Sequence, residues 1–177
     1  MLTFTDYEID LRSIPGEICL TFYICDCPCH CQGCSSPWLW ERGQFILTEA
    51  IVHKAIVKYP YISCILFMGG DNDTDSILKL AQTARSRGVK TAFYSGRDEM
   101  VAALTECLDY YKIGHWDAAA GPLNAETTNQ KLYMYTDTWQ DITSKFWTRE
   151  NKLKPQQEQQ LMNDARSWLN GNKNTKG

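Results

Sequence analysis

One short stretch of the chain contains five cysteines, Cys25, Cys27, Cys29, Cys31 and Cys34. A single buried cysteine packs like any small apolar residue, so packing alone does not explain a group of thiols that are prone to oxidation. Thiolates are good metal ligands. The stretch is therefore interpreted as a set of metal ligands.

Three of these cysteines, Cys27, Cys31 and Cys34, have the spacing C-x₃-C-x₂-C. Three thiolates can bind three irons of a 4Fe–4S cluster and leave the fourth iron without a protein ligand. An open coordination position is how a metal centre binds a substrate, as in catalytic zinc sites. We interpret Cys25 and Cys29 as bystanders near the cluster.

A structural zinc site is the alternative interpretation of the same cysteines. Such sites usually take their ligands from two separated pairs. No second C-x₂-C or H-x₃-H pair follows in the sequence. The pattern therefore favours an iron–sulfur cluster over zinc.

The cysteine stretch directly follows an apolar run at 18–24, which is rich in β-branched and aromatic residues and predicts a buried strand. Two further strands, predicted at 62–67 and 89–94, each lead into a loop with small residues. Glycines in such loops let a ligand approach the backbone closely. The candidate ligand-binding residues of these two loops are Met68, Gly69, Gly70, Asp71, Tyr94, Ser95 and Gly96.

Helical patterns alternate with these strands. The spacing of apolar residues predicts helices at 49–59, capped by Thr48, at 77–84, capped by Thr74 or Asp75, and at 98–108, and a fourth strand at 110–113. Alternation of this kind predicts an α/β fold, with a parallel sheet and outer helices. Ligands bind at the carboxyl ends of the strands in such folds, where all the candidate loops fall.

The two ends of the chain are less regular. Residues 1–16 are expected to wrap the surface, and 115–130 reads as a long loop. A terminal hairpin and an extra helix starting at Pro155 are predicted at about 132–170. The chain is expected to form one domain over 1–177, with its core at about 15–150.

Composition limits the classes of partner. The chain has 177 residues, a net charge of −3 and 44% hydrophobic residues, which indicates a globular protein without a general attraction to nucleic acid or membranes. No apolar run approaches the roughly 18 residues that a membrane span needs, and the first residues lack signal-peptide features. We therefore expect reduced thiols and a cytoplasmic location, with neither nucleic acid nor membrane as a partner.

The motif C-x₃-C-x₂-C at the tip of a first strand is similar to the signature of the radical S-adenosyl-L-methionine (SAM) enzymes. His30 and the run Cys31-Gln32-Gly33-Cys34 resemble one branch, the activating proteins of anaerobic ribonucleotide reductases. Those enzymes commonly have an aromatic residue where this chain has Gly33. Without that aromatic residue, one face of the cluster is expected to be more open, or covered by Trp38 or Trp40.

The resemblance implies roles for the loops. Gly69, Gly70 and Asp71 resemble the Gly-Gly-Glu segment that holds the SAM amino group, and the segment around Ser95 is similar to the one that meets the ribose. His115 or Lys112 could meet the SAM carboxylate, although a role as exposed loop residues is favoured for both. Two further candidates, in a segment that looks like the activating proteins, are Asn129 and Gln130.

The resemblance also implies a partial βα barrel that holds a 4Fe–4S cluster and SAM and generates a 5′-deoxyadenosyl radical. The radical would form a glycyl radical on the large catalytic subunit of anaerobic ribonucleotide reductase, with electrons from a low-potential donor such as a flavodoxin. A short chain suits a protein substrate, which encloses the radical as it docks. The alternatives are a radical SAM enzyme that acts on a small metabolite, as in deazaguanine synthesis, and a zinc-binding adaptor.

Overall fold

The structure is a computed structural model that describes residues 1–147. Within these residues the strands, numbered in chain order, are β1 Thr3–Asp10, β2 Cys19–Ile24, β3 Phe45–Ile46, β4 Cys64–Met68, β5 Lys90–Tyr94, β6 Tyr110–Ile113, β7 Lys131–Tyr135 and β8 Trp139–Asp141. The α-helices of the same region are α1 Glu49–Lys58, α2 Thr74–Arg85 and α3 Ala102–Thr105. Short 3₁₀ helices lie at Pro37–Trp40 and Thr143–Phe146.

All eight strands form one mixed sheet in the order β3-β1-β2-β4-β5-β6-β7-β8. The four central strands, β2, β4, β5 and β6, are parallel, and the strands on either side are antiparallel to their neighbours. The described sheet is open, because its edge strands β3 and β8 do not pair with each other. The partial βα barrel stays a prediction.

The core lies on both faces of the central strands. On one face Phe22, Phe67 and Phe93 pair across β2, β4 and β5 and pack with Val52 of α1 and Ile77 of α2. Burying each of these rings contributes roughly 1.5–3 kcal/mol to folding. A second cluster on the opposite face includes residues of β4, β5 and β6. Strands buried on both faces explain the near-continuous apolar runs in the sequence.

The prediction that residues 1–16 only wrap the surface is wrong. β1 pairs along β2 from Phe4 opposite Ile24 to Asp10 opposite Cys19. The register shifts between Phe4 and Asp6, which breaks the alternation of apolar and polar side chains that would reveal a strand. The N-terminal segment is therefore part of the sheet, and it borders the cysteine stretch.

The helix predicted at 98–108 is also wrong in extent, because only Ala102–Thr105 is α-helical. The backbone N–H of Val101 donates to the hydroxyl of Tyr111 at 3.1 Å, and the carboxylate of Asp98 contacts Nδ1 of His115 at 2.7 Å. These contacts tie the preceding residues to β6 and the loop after it. Residues 98–101 are accordingly outside the helix.

The other helices match their predictions closely. Thr48 caps α1 as predicted, since its side chain accepts a hydrogen bond from the N–H of Ile51. The cap of α2 is Asp73, which accepts from the N–H of Ser76, and not Thr74 or Asp75. The helix therefore starts at Thr74, three residues before Ile77, the first apolar residue of the pattern.

The predicted hairpin and long loop are confirmed. β7 and β8 pair antiparallel, and residues 115–130 contain neither a helix nor a strand. The helix predicted from Pro155 lies outside the described residues. In the part of the chain that the structure describes, no helix combines the length and apolar character needed to cross a membrane.

Candidate functional site

The tips of the parallel strands are in register. Met68 at the end of β4 pairs with Tyr23 of β2 and with Tyr94 of β5, and Tyr94 pairs in turn with Lys112 of β6. Because these strands end together, the loops that follow them lie at one edge of the sheet. The structure thus brings the cysteine stretch, the Gly-Gly loop and the Ser-Gly loop to the same place.

The strand β1 holds the start of the cysteine loop. The N–H of Cys25 donates to the carbonyl of Thr3 at 2.9 Å, and the hydroxyl of Thr3 donates to the carboxylate of Asp26 at 2.7 Å. Asp26 and His30 have left-handed backbones, with φ of 59° and 43°. Each such residue costs roughly 1–3 kcal/mol, so these contacts help to maintain a strained loop.

The loop separates the five cysteines. The three predicted ligands, Cys27, Cys31 and Cys34, are half-buried and remain within reach of a bound group. Cys25 is buried, and burial together with the neighbouring Asp26 raises the pKa of its thiol. Cys25 thus lies in the core, and its interpretation as a bystander stays a prediction.

Cys29 is half-buried and turns toward the tip of β5. Its Sγ lies 2.5 Å from the position that a Cβ on Gly96 would take. Burial raises the pKa of the Cys29 thiol to about 12, with further contributions from Cys27, Asp71 and Cys31. Cys29 therefore packs into the Ser-Gly loop, a contact that sequence reasoning missed because nothing in the linear order connects the two residues.

The Gly-Gly loop needs its glycines for close packing. Gly69 has φ of +87°, and a Cβ there would lie 2.9 Å from the carbonyl oxygen of Ile24. Its N–H donates to the carbonyl of Tyr94 at 3.0 Å. Only glycine combines this backbone with so close an approach, so the loop is held between β2 and β5.

Asp71 connects the Gly-Gly loop to the Ser-Gly loop. Its buried carboxylate accepts hydrogen bonds from the hydroxyl of Ser95 at 2.6 Å and from the N–H of Gly96 at 2.8 Å. The hydroxyl of Ser95 also accepts from the N–H of Arg97 at 2.9 Å. The predicted contacts of Asp71 and Ser95 with SAM stay predictions, and both side chains already bind each other.

Arg97 completes this connection and was not predicted. Its guanidinium donates to the backbone carbonyl of Asp71 at 2.8 Å and lies 3.5 Å from the carboxylate. The carbonyl of Arg97 accepts from the N–H of Gly114 at 2.6 Å. The only signal in the sequence was its place directly after the Ser-Gly pair. One residue thus joins the tips of β4, β5 and β6.

Lys112 is buried, so its interpretation as an exposed loop residue is wrong. Its ammonium donates to the carbonyls of Gly114 at 2.6 Å and Ser95 at 3.3 Å. Burial lowers the pKa of Lys112 to about 8, while the negative charge of the Asp71 carboxylate opposes that effect. The site therefore contains a buried ammonium that donates to two neutral backbone carbonyls.

The remaining candidates lie around the tip of β6 or face away from it. His115 is exposed, as expected, and its carbonyl accepts from the side chain of Asn129 at 3.0 Å. Gln130 is buried against Gly114. The hydroxyl of Tyr94 donates to the carbonyl of Ser13, so its side chain is engaged away from the loops.

The face of the loop at Gly33 is covered by a residue that the sequence did not indicate. Trp116, and neither Trp38 nor Trp40, lies beside Gly33, with its Nε1 3.7 Å from the position of a Cβ there. Trp38 is 54% exposed, and the ring of Trp40 packs on His30 at 5.1 Å between centroids. An aromatic side chain is thus present next to Gly33, although it comes from the loop after β6.

The residues at this edge fit an iron–sulfur cluster. Three half-buried thiols stand on one loop, and within residues 1–147 the buried side-chain N–H groups without a hydrogen-bond partner are those of Trp40 and Trp116. Both tryptophans contact the cysteine loop, where cluster sulfur would offer acceptors. The described residues contain no group of three His, Cys, Asp or Glu side chains arranged to hold one metal ion. A cluster does not need such a group, because each of its cysteines binds a different iron.

Comparison with known proteins agrees with this chemistry. The model of the family described as a 4Fe-4S single cluster domain matches residues 15–142, which include the three cysteines and the loops after β4, β5 and β6. No curated protein and no solved structure matches the chain. The match covers most of the chain, and the protein therefore belongs to the 4Fe-4S single cluster domain family of iron–sulfur proteins.

Proposed function

We propose that the protein is a radical SAM enzyme that generates the glycyl radical of anaerobic ribonucleotide reductase. The observation that carries the proposal is the common edge of the strand tips. There the C-x₃-C-x₂-C loop lies beside the Gly-Gly loop and the Ser-Gly loop. Asp71 connects the Gly-Gly loop to the Ser-Gly loop. We take the Gly-Gly and Ser-Gly loops as the site of a second ligand, which an iron–sulfur centre that only transfers electrons does not need.

Cys27, Cys31 and Cys34 are the proposed cluster ligands, and an iron without a protein ligand would be open to SAM. A reduced cluster held there would supply the one electron that breaks the C5′–S bond of SAM, which would give methionine and a 5′-deoxyadenosyl radical able to take a hydrogen atom from a glycine Cα. The protein holds and orients these groups. Asp26 and Thr3 fix the start of the cysteine loop for this purpose.

The SAM site is proposed to lie between the loops at this edge. The methionine part of SAM is proposed to meet the backbone of Gly69 and Gly70, which lies close against β2 and α2 because Ile24 and Ile77 occupy the space of a Cβ at these positions. The buried ammonium of Lys112 is suited to the SAM carboxylate, because the carbonyls of Ser95 and Gly114 that accept its hydrogen bonds are neutral. Asp71 is engaged with Ser95 and Gly96, so we assign its side chain to positioning the loops.

The proposed substrate is the large catalytic subunit of anaerobic ribonucleotide reductase, and a low-potential protein such as a flavodoxin is the proposed electron donor. The site lies at one edge of an open sheet, with Trp38 exposed directly after the cysteine loop. A docking protein would cover such an edge and exclude water from the radical. We also propose that β2, β4, β5 and β6 with their helices correspond to an incomplete βα barrel.

The test uses protein reconstituted with iron and sulfide under anaerobic conditions, mixed with SAM and a chemical reductant. We expect 5′-deoxyadenosine in both the presence and the absence of the reductase, and a glycyl radical signal on the large subunit by electron paramagnetic resonance. The variant Cys31→Ala should give neither. An intact, reducible cluster that never cleaves SAM would refute the radical SAM assignment.

Two outcomes distinguish the alternatives. Cleavage of SAM without a glycyl radical on the reductase would exclude this partner and favour a metabolite as substrate. Metal analysis after anaerobic purification addresses the other alternative. Zinc without iron or sulfide would identify an adaptor and end the proposal.

A further inference from the structure

The indole of Trp116 points its N–H edge at the cysteine loop. Its Nε1 is the atom nearest to the position of a Cβ on Gly33, at 3.7 Å, and Gly33 directly precedes the proposed ligand Cys34. The loop at 115–130 carries Trp116 to this place from the tip of β6. A Cβ at position 33 would itself be in van der Waals contact with the indole nitrogen.

This N–H is buried and has no acceptor within residues 1–147. A buried donor without a partner costs about 1–3 kcal/mol, and most such groups in proteins are paired. An indole N–H can only donate. The missing partner is therefore an acceptor that sits against the cysteine loop.

The only other buried side-chain donor of this kind in the described region is Nε1 of Trp40. The ring of Trp40 packs on His30, next to Cys31, so both tryptophans lie against residues that neighbour proposed cluster ligands. Elsewhere in residues 1–147, buried side-chain nitrogen and oxygen atoms have partners. This coincidence points to one acceptor group at the loop, and cluster sulfur is such a group.

We propose that the indole N–H of Trp116 donates a hydrogen bond to a sulfur of the cluster held by Cys27, Cys31 and Cys34. Trp116 would thereby act as a positioning and tuning residue for the cluster. The inference rests on the iron–sulfur cluster alone, and it does not depend on SAM or on the reductase. Hydrogen bonds to cluster sulfur stabilise the more negative reduced state and raise the reduction potential.

The test is a potentiometric titration of the reconstituted cluster without SAM, followed by electron paramagnetic resonance. Trp116→Phe removes the N–H and keeps an aromatic ring. We expect its cluster to be harder to reduce, with about a tenfold lower ratio of reduced to oxidised cluster at a fixed potential, which corresponds to about 59 mV for one electron. The control Trp38→Phe changes an exposed indole and should leave the potential unchanged.

An unchanged potential in Trp116→Phe, or an equal shift in Trp38→Phe, would overturn the inference. A second measurement avoids dependence on the variant's folding. In unmodified protein produced with tryptophan that carries ¹⁵N in the indole ring, the reduced cluster should show a hyperfine coupling to ¹⁵N. The same coupling should persist in the variant Trp40→Phe. Absence of any ¹⁵N coupling would also refute it, whether or not SAM is cleaved.

Discussion

The sulfur of Cys29 occupies the space that a side chain on Gly96 would need, 2.5 Å from the ideal Cβ position. The two residues come from different loops, one after β2 and the other after β5. The cysteine loop is therefore packed directly against the Ser-Gly loop. The contact explains why position 96 is a glycine although its φ lies outside the left-handed region.

Gly96→Ala should destabilise the protein by about 1–3 kcal/mol, because the new methyl must displace the sulfur or shift a loop. Urea unfolding of the protein without cluster measures the change. In a Cys29→Ala background the cost should be clearly smaller, since the sulfur is gone and the Cβ of residue 29, at 3.3 Å, is then the nearest atom. In a Cys25→Ala background it should persist. Equal costs in both backgrounds would show that the Cys29 contact is not the cause.

Substitution of single cysteines should divide them into two groups. Cys31→Ala should lose the cluster, because it removes one of three ligands, whereas Cys25→Ala and Cys29→Ala should retain iron and sulfide. Anaerobic reconstitution followed by iron and sulfide analysis measures this. The ligand assignment is wrong if Cys29→Ala loses the cluster while Cys31→Ala keeps it.

Lys112→Met should weaken SAM binding by about tenfold, equivalent to about 1.4 kcal/mol, because it removes the buried positive charge proposed for the SAM carboxylate. The cluster should remain, since Lys112 is not a ligand. Equilibrium dialysis of SAM with reconstituted protein gives the affinity. The control Lys131→Met changes a half-exposed lysine on β7 and should bind SAM normally. Unchanged binding in Lys112→Met would remove this residue from the SAM site.

Glu17 lies at the opposite ends of the parallel strands, where its buried carboxylate accepts from Ser63, Lys90 and Tyr110, each at 2.6 Å. Burial alone would raise the pKa of Glu17, but these hydrogen bonds outweigh it and lower the pKa. A lowered pKa in the folded state stabilises the protein above the ordinary glutamate pKa. This contribution is lost as the pH falls through the lowered value.

Glu17→Gln should therefore lower the free energy of unfolding by about 2 kcal/mol at neutral pH, because charged hydrogen bonds are lost. The expected effect is no larger, because solvent screens the charge of the half-exposed partner Lys90. The loss of stability between about pH 5 and pH 3 should be smaller in Glu17→Gln than in the unmodified protein. Urea unfolding across this range measures both effects. Glu126→Gln, at an exposed position, should change neither. Identical pH profiles for Glu17→Gln and the unmodified protein would contradict the role of the charge.

The sequence by itself determined the central elements and the ligand loops. Apolar runs of β-branched and aromatic residues marked β2, β4, β5 and β6, since a strand buried on both faces has no polar alternation. Thr48 marked the start of α1 through its capping side chain. The spacing of Cys27, Cys31 and Cys34 indicated a cluster because ligand spacing along a loop is a local property.

Only the tertiary structure decided which residues meet across the loops. β1 was hidden by a register shift at Phe4, and the contacts of Cys29 with Gly96, of Asp71 with Ser95 and of Trp116 with Gly33 join residues 24 to 83 positions apart. The burial of Lys112 likewise depends on the loops of neighbouring strands. Local patterns record how a segment folds, whereas these contacts depend on the register of parallel strands, which no single segment encodes.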